Sequence, residues 1–314
     1  MKPTIFKDWI YEHAQYRAAL DRLNGEVLRA LEGGSPFILP LLGDSRAGKS
    51  ALLDDVNTHY AKSVSESGHP RVLLISMPSA ASTEALASEI TGAILGPVPI
   101  KGRTSDILKQ AKDAMVRAGV VVLLIDEVNH LVEKRTTQKA QTKGNRNAAD
   151  WLKELYDQCG ISTIIGGLPH VGRLYFDNDQ LENRGLRPIR IEPYAWSCSA
   201  DQQEFRVTIA AGVEHLKDHG WTLEVDLDRV TRVIYLGGGG YIGKARDFMA
   251  RLDETGRARK RFDAALVSRT FEHKYGFDDK GDPMLMKSID DVMLNAAHRA
   301  ALQRALRSER STKQ

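Results

Sequence analysis

The sequence predicts an α/β fold: a three-layer sandwich around a five-stranded parallel sheet, followed by a small all-α domain and a helical C-terminal tail. Three observations predict it. Apolar, largely β-branched runs alternate with helical patterns from about residue 37 to 192, as in a parallel sheet covered on both faces. After residue 192 the alternation stops and helical periodicity alone continues. The first apolar run also leads directly into Gly43-Asp44-Ser45-Arg46-Ala47-Gly48-Lys49-Ser50, a complete G-x-x-x-x-G-K-[ST] pattern in the strand–loop–helix setting that it requires.

Residues 9–32 read as a helix, with Ile10, Tyr16, Leu20, Leu23, Val27, Leu28 and Leu31 spaced along one face. Gly33-Gly34-Ser35-Pro36 ends it. Strands are expected at 37–42, 71–76, 120–125, 162–166 and 188–192. Pro40 has no N–H for a ladder bond, so a bulge or an edge-like irregularity is expected there. Thr104-Ser105 opens a helix carrying Ile107, Ala111, Ala114 and Met115, ended by Gly119.

Residues 133–147 are polar and basic, with Lys134, Arg135, Lys139, Lys143 and Arg146 against Glu133. They read as a solvated loop or as a segment facing a polyanion. Helices are expected at 201–219, 226–235 and 244–256, the last following the glycine-rich 237–243. The tail is basic at Arg257, Arg259, Lys260 and Arg261, and again at Arg304, Arg307, Arg310 and Lys313. Ser288 with Asp291 three residues on resembles a capping box and places the start of the last helix. The expected division is therefore 1–35, a helical segment; 36–195, a nucleotide-binding core; 196–256, a helical lid; and 257–314, a basic helical tail.

Hydrophobic residues at 42% and charged residues at 27% are the proportions of a soluble globular protein. No apolar stretch reaches membrane-spanning length, and the N-terminus lacks the apolar core of a signal peptide. Cys159 and Cys198 have no metal-ligand neighbours in sequence, which fits a reduced, cytoplasmic protein. A net charge of +3 is too small to identify a nucleic-acid partner.

The loop pattern carries chemistry. Its glycines let successive backbone N–H groups face phosphate oxygens while the following helix presents its positive end. Lys49 is expected to reach the β- and γ-phosphates of ATP, and the Ser50 hydroxyl to ligate Mg²⁺. The apolar run 120–125 ends in Asp126-Glu127. Asp126 is placed to hold Mg²⁺ through its water shell, and Glu127 to orient and deprotonate an attacking water. Together these residues read as an ATPase.

A five-stranded nucleotide-binding core followed by a helical lid is the plan of the AAA+ ATPases, and the residues resemble one branch, the transposition regulators TniB and TnsC. Leu124-Ile-Asp-Glu-Val-Asn-His-Leu131 resembles that family's catalytic strand and turn. Asp150-Trp-Leu-Lys-Glu-Leu-Tyr-Asp157, with 161–169 after it, resembles the helix and strand carrying its first sensor. Asn178-Asp-Gln-Leu-Glu-Asn-Arg184 is similar to the segment bearing its arginine finger. Arg187-Pro-Ile-Arg-Ile-Glu-Pro-Tyr-Ala-Trp196 resembles the bridge into the lid, and Gly240-Tyr-Ile-Gly243 the lid's signature turn. The matches are collinear over roughly residues 10–255.

The resemblance implies that ATP sits between subunits, with Arg184 (Arg187 as substitute) reaching a neighbour's γ-phosphate. It implies a homo-oligomer, a ring or helical filament on double-stranded DNA without sequence preference, that recruits a transposase and a target-selecting protein. Lys101, Arg103 and Thr104 correspond to the region where such proteins contact DNA, and their chemistry suits phosphate contacts; Thr104 equally suits a helix start. The chain departs from the family at the first sensor, where Gly167 or Leu168 stands in place of a polar residue and His170 is the nearest polar side chain. Arg184 is followed by Gly185, not the usual Phe, and Lys244 and Arg246 lie where a second sensor belongs. Two alternatives remain: a helicase-loader-like replication protein, and a signalling or defence ATPase acting on protein partners.

Overall fold

A computed structural model describes residues 3–78, 82–96, 102–129, 138–172, 181, 183–279 and 281–310, with backbone alone for 138–147 and 306–310. The chain forms two compact units: Tyr16–Ser45, Lys49–Ile191 and Ser308–Gln314 in one, and Met1–Gln15, Arg46–Gly48 and Glu192–Arg307 in the other. No helix among the described residues is long and apolar enough to cross a membrane.

The first unit is built on five parallel strands: β1 (Ile38–Gly43), β2 (Val72–Ser76), β3 (Val122–Asp126), β4 (Ser162–Gly167) and β5 (Ile189–Ile191), in the order β2-β3-β4-β1-β5. Every residue of β1, β3 and β4 is buried, which is why these segments read as mostly apolar, with Ser162, Thr163 and Asp126 the buried polar exceptions. Helices α1 (Ala14–Leu31), α2 (Lys49–His59), α3 (Thr83–Leu95), α4 (Thr104–Ala118) and α5 (Gln138–Cys159) accompany the sheet. Leu86, Ile90, Met115, Trp151 and Leu155 bury their side chains in one core with Leu123, Ile125 and Ile165 of the strands. The second half of the basic 133–147 stretch is thus helix, the start of α5, and not loop; its first residues lie outside the described ones.

Pro40 produces no bulge, and the expected irregularity takes the form of a gap in pairing on one side of β1. β1 lies between β4 and β5, and Pro40 keeps register opposite Ile165. The Ile38 carbonyl accepts the Leu186 N–H at 2.8 Å on the β5 side, so by strand alternation the missing donor of Pro40 faces that side too. There the pairing is interrupted, between the Ile38–Gly185 bridge and the ladder that begins at Leu41 opposite Ile189. No donor is needed at that point, so a central strand tolerates proline.

The second unit holds α6 (Ser199–Asp218), α7 (Leu227–Gly238), α8 (Ile242–Gly256), α9 (Ala264–Tyr275) and α10 (Asp291–Arg310), with a two-stranded ribbon of β6 (Thr222–Leu223) and β7 (Arg261–Phe262). Its core gathers Phe205, Trp221, Tyr235, Phe248, Phe262 and, from the N-terminal segment, Phe6. Phe6 meets Trp9 edge-on at 5.3 Å and His215 at 5.1 Å. Arg246 Nη2 donates to the Phe6 carbonyl at 2.7 Å, and Asp253 accepts the Ile5 N–H at 3.2 Å. These contacts explain why helix α1 begins at Ala14 and not near residue 9: the preceding residues dock as irregular chain, and Ile10 is 43% exposed.

The glycine-rich stretch that ends α7 is a packing joint. A Cβ on Gly237 would stand 2.3 Å from the Tyr275 ring, and one on Gly239 2.6 Å from Ala301. At Gly240, with φ +92°, it would lie 2.2 Å from the Tyr194 carbonyl oxygen. Helix α10 is capped by Asp290, which accepts the Met293 N–H at 2.9 Å; Ser288 does not cap it. The Asp291 carboxylate takes the Trp196 indole N–H and an Arg232 N–H, each at 2.9 Å, and both bonds pull its pKa down. The basic residues 257–261 are largely consumed locally: Arg257 pairs with Asp253 at 2.6 Å, Arg261 pairs with Glu224, and Lys260 donates to the His219 carbonyl at 2.7 Å.

Candidate nucleotide site

Parallel strands bring their carboxyl ends to one edge, where ligands of open α/β sheets bind. Register places Leu42 beside Gly167, and Ser76 beside Asp126. Gly43 ends β1 and opens the loop to α2, whose first residue is Lys49. Arg46 (φ +65°) and Gly48 (φ +95°) both adopt left-handed backbone, which coils the loop tightly; glycine makes this free of cost at position 48. The Ser45 N–H is held by the Asp44 carboxylate at 2.9 Å. Ala47 is buried, while Ser45, Arg46 and Ser50 are exposed.

Lys49 folds back over the loop. Its Nζ donates to the carbonyl oxygens of Gly43 and Asp44, both at 2.9 Å. Burial lowers its pKa, opposed by the nearby negative charges of Asp126, Asp44 and Glu127. An ammonium that is partly desolvated and surrounded by acceptors is an effective anchor for a phosphate, which would add charge compensation.

Asp126 and Glu127 differ sharply although adjacent. Asp126 is buried, 7% exposed, and its Oδ1 accepts the Glu127 N–H at 2.8 Å. A Cβ on Gly166 would lie only 3.1 Å from the same Oδ1 and 2.9 Å from Leu53 Cδ1, so glycine at 166 makes room for the carboxylate. Glu127 is exposed and left-handed, φ +56°, an uncommon backbone for a residue with a side chain. The flanking backbone is tied down on both sides: Met77 N–H to Asp126 O and Val128 N–H to Gly166 O, each at 3.0 Å. The strand end thus turns one carboxylate inward and the next outward. The oxygen donors of Ser50 and Asp126 suit Mg²⁺, which prefers oxygen and retains waters.

Asp54 was not singled out in the sequence. It lies one turn after Ser50 on α2, and its pKa is raised by burial and by Asp126 and Asp55. The i, i+4 spacing from Ser50 could have drawn attention to it. At Gly167, which with Leu168 is where the sequence leads one to expect a first sensor, a Cβ would strike Val171 at 2.6 Å. His170 sits in the 3-10 turn Pro169–Val171 and is buried, so it is not a surface histidine.

Arg184 pairs with Asp157 of the same chain, Nε to Oδ1 at 2.8 Å and Nη2 to Oδ2 at 3.1 Å, and its Cζ stands 5.8 Å from the Tyr156 ring. That hydrogen-bonded pair raises its pKa. Arg187 is exposed at the turn into β5. In the second unit Lys244 Nζ lies 4.3 Å over the Tyr241 ring, and Arg246 is engaged by the N-terminal carbonyls described above. Arg103 and Thr104 are exposed at the start of α4, whose cap is made by Asp106 accepting the Arg103 N–H at 3.3 Å; Thr104 is therefore inside the helix and not its cap. Lys101 lies outside the described residues.

The model of the bacterial TniB protein family matches residues 4–195. Chaperone protein ClpB of Helicobacter hepaticus is 23% identical over 151 residues, which is 48% of this chain but only 16% of that chaperone. Among solved structures, the Aeropyrum pernix ORC1 protein in complex with DNA superposes with a TM-score of 0.62 at 16% identity, over 85% of this chain and 66% of that one. Cdc6p from Pyrobaculum aerophilum gives 0.62 at 15% identity, over 88% and 72%. These likenesses show the fold. With the family match covering well over half of its length, the chain belongs to the TniB family, and it is built on the AAA+ P-loop fold.

Proposed function

We propose that this protein is an ATP-dependent regulator of transposition that assembles on duplex DNA and links target selection to a transposase. The observation that carries the ATP half of this reading is the pairing of a closed phosphate loop, latched by Lys49, with an inward Asp126 and an outward Glu127 at the same sheet edge. Residues Gly43 to Ser50 cradle the phosphates, Ser50 and Asp126 hold Mg²⁺, and Glu127 activates water. Arg184 completes the site of a neighbouring copy. In this reading the core spans 36–195 and the lid 196–256, and the protein acts in the cytoplasm as a ring or helical filament.

The DNA half rests on family membership and on exposed Arg103 and Thr104 at the start of α4, with Lys101 beside them in sequence. Contacts of this kind follow the phosphate backbone without reading bases. Many weak contacts in one assembly reinforce one another, so a net charge of +3 is no obstacle. The test is binding to random-sequence duplex over a salt series, with and without a non-hydrolysable ATP analogue. Nucleotide-dependent, salt-sensitive binding is expected, weakened uniformly across sequences by Arg103→Ala. No binding at low salt in either condition would remove DNA from the function.

A replication reading, as a helicase-loader-like protein, draws on the fold likeness to the ORC and Cdc6 proteins, one of them solved with DNA. Pull-down with nucleotide-locked protein separates the two: a transposase as partner favours the first, a replicative helicase the second.

A further inference from the structure

We infer that Asp157 is a positioning residue for Arg184, fixing the guanidinium in the pose from which it is presented to a neighbouring copy's nucleotide. This rests on the reading of Arg184 given above. The carboxylate grips the Nε–Nη2 edge of the guanidinium at 2.8 and 3.1 Å, the two-point geometry that sets the plane of the fork as well as its place. Asp157 stands near the end of α5, a helix secured to the core by Trp151, Leu152 and Leu155. Tyr156 of the same turn lies 5.8 Å below the guanidinium carbon. Arg184 itself comes from a short turn closed by its N–H to the Leu181 carbonyl at 3.1 Å. The functional end of a side chain carried by a turn therefore takes its coordinates from a helix, which is the more rigid element.

Magnitude decides between positioning and restraint. The pair is partly exposed, 25% for Arg184 and 35% for Asp157. Such pairs shift an equilibrium by at most about 5-fold. That is too little to keep a subunit out of an assembly held by many contacts. It is enough to select one rotamer of a long arginine, whose freedom would otherwise be lost on docking. A guanidinium that arrives already oriented loses less on meeting the phosphate.

The test uses the full chain, assembled with ATP and duplex DNA. Asp157→Asn is expected to lower turnover at saturating ATP and saturating protein by about 3- to 10-fold, the loss expected when a reacting group is left to find its own orientation. ATP affinity of the dilute protein and the thermal midpoint should stay at wild-type values. Combined with Arg184→Ala, Asp157→Asn should add no further loss, because the two act as one unit. Asp157→Glu, which keeps the charge but lengthens the arm, should fall between wild type and Asp157→Asn.

Wild-type turnover in Asp157→Asn alongside lost turnover in Arg184→Ala would overturn the inference and leave the Arg184 reading standing. Faster turnover in Asp157→Asn would make the pair a restraint, and an additive loss in the double variant would give Asp157 a separate role; either overturns it. Full turnover in Arg184→Ala would remove the Arg184 reading, and this inference with it.

Discussion

The Asp126 carboxylate accepts the backbone N–H of Glu127 at 2.8 Å, so the side chain of one residue fixes the main chain of the next. This bond is what separates two chemically similar groups into different environments. Asp126 stays inside with an oxygen committed to the turn, and Glu127 is carried out to solvent on left-handed backbone. On the roles proposed for them, the division of labour between these adjacent carboxylates follows from their surroundings and not from residue type.

Glu127→Gln should therefore leave ATP binding intact and reduce steady-state hydrolysis by about 10²- to 10⁴-fold, the range for losing a general base. Nucleotide binding by fluorescence and phosphate release measured on the same preparation check this. Wild-type turnover would remove Glu127 from the chemistry.

Lys49→Ala should weaken ATP binding by about 10- to 100-fold, corresponding to loss of one charge-assisted hydrogen-bonded group. Equilibrium binding of a fluorescent ATP analogue reads it directly. A lower thermal midpoint should accompany the loss, because Lys49 also releases the Gly43 carbonyl at the buried end of β1 and that of Asp44.

Gly166→Ala tests the room made for Asp126. The new methyl would press on Leu53 and on the carboxylate oxygen, at 2.9 and 3.1 Å before relaxation. Overpacking of this kind costs about 1–3 kcal/mol. A lower thermal midpoint is expected together with reduced Mg²⁺-dependent hydrolysis. An unchanged midpoint would mean that Leu53 yields freely.

His298 on α10 makes stability depend on pH. Burial lowers its pKa from 6.5, against a hydrogen bond with the Gly239 backbone and the charges of Asp201 and Glu192; Arg299 acts with burial. A histidine whose folded pKa is depressed resists protonation in the folded state while the unfolded chain takes the proton near its ordinary value. Its stabilising contribution is complete above pH 6.5 and is lost as pH falls through the depressed folded value. The gap in denaturant midpoint between the wild type and His298→Gln should accordingly narrow or reverse as pH is lowered below 6.5. A constant gap across that range would show that His298 does not titrate differently in the two states.

All five strands were legible within two residues at each end; β1, β3 and β4 are buried throughout and so mostly apolar, while β2 and β5 expose a residue each and stood out by alternation with helical patterns. The phosphate loop and the Asp-Glu pair were equally legible, since their chemistry fixes both residue type and spacing. Pro40 signals an irregularity, but only the register of β5 reveals its form, a gap in pairing where the missing donor has nothing to meet. The start of α1 was misplaced for a related reason. Ile10 fits a helical face by spacing, yet Phe6 and Trp9 gain more by burial with His215, far away in sequence. Asp157 could not be chosen from the sequence at all. Its importance lies in which arginine it meets, and that meeting joins the end of α5 to a turn 27 residues further along.

The glycine run that ends α7 has a consequence beyond packing. By composition it looks like a slack tether, the kind of segment where an engineer would insert a tag or a circular-permutation break. Its neighbours leave no such latitude: an aromatic ring, a helix and a carbonyl each stand within 2.6 Å of where a side chain would begin. In a saturation screen these positions would tolerate substitution as poorly as an active site, for reasons of packing alone. Intolerance alone, read there as a catalytic signal, would mistake packing for chemistry.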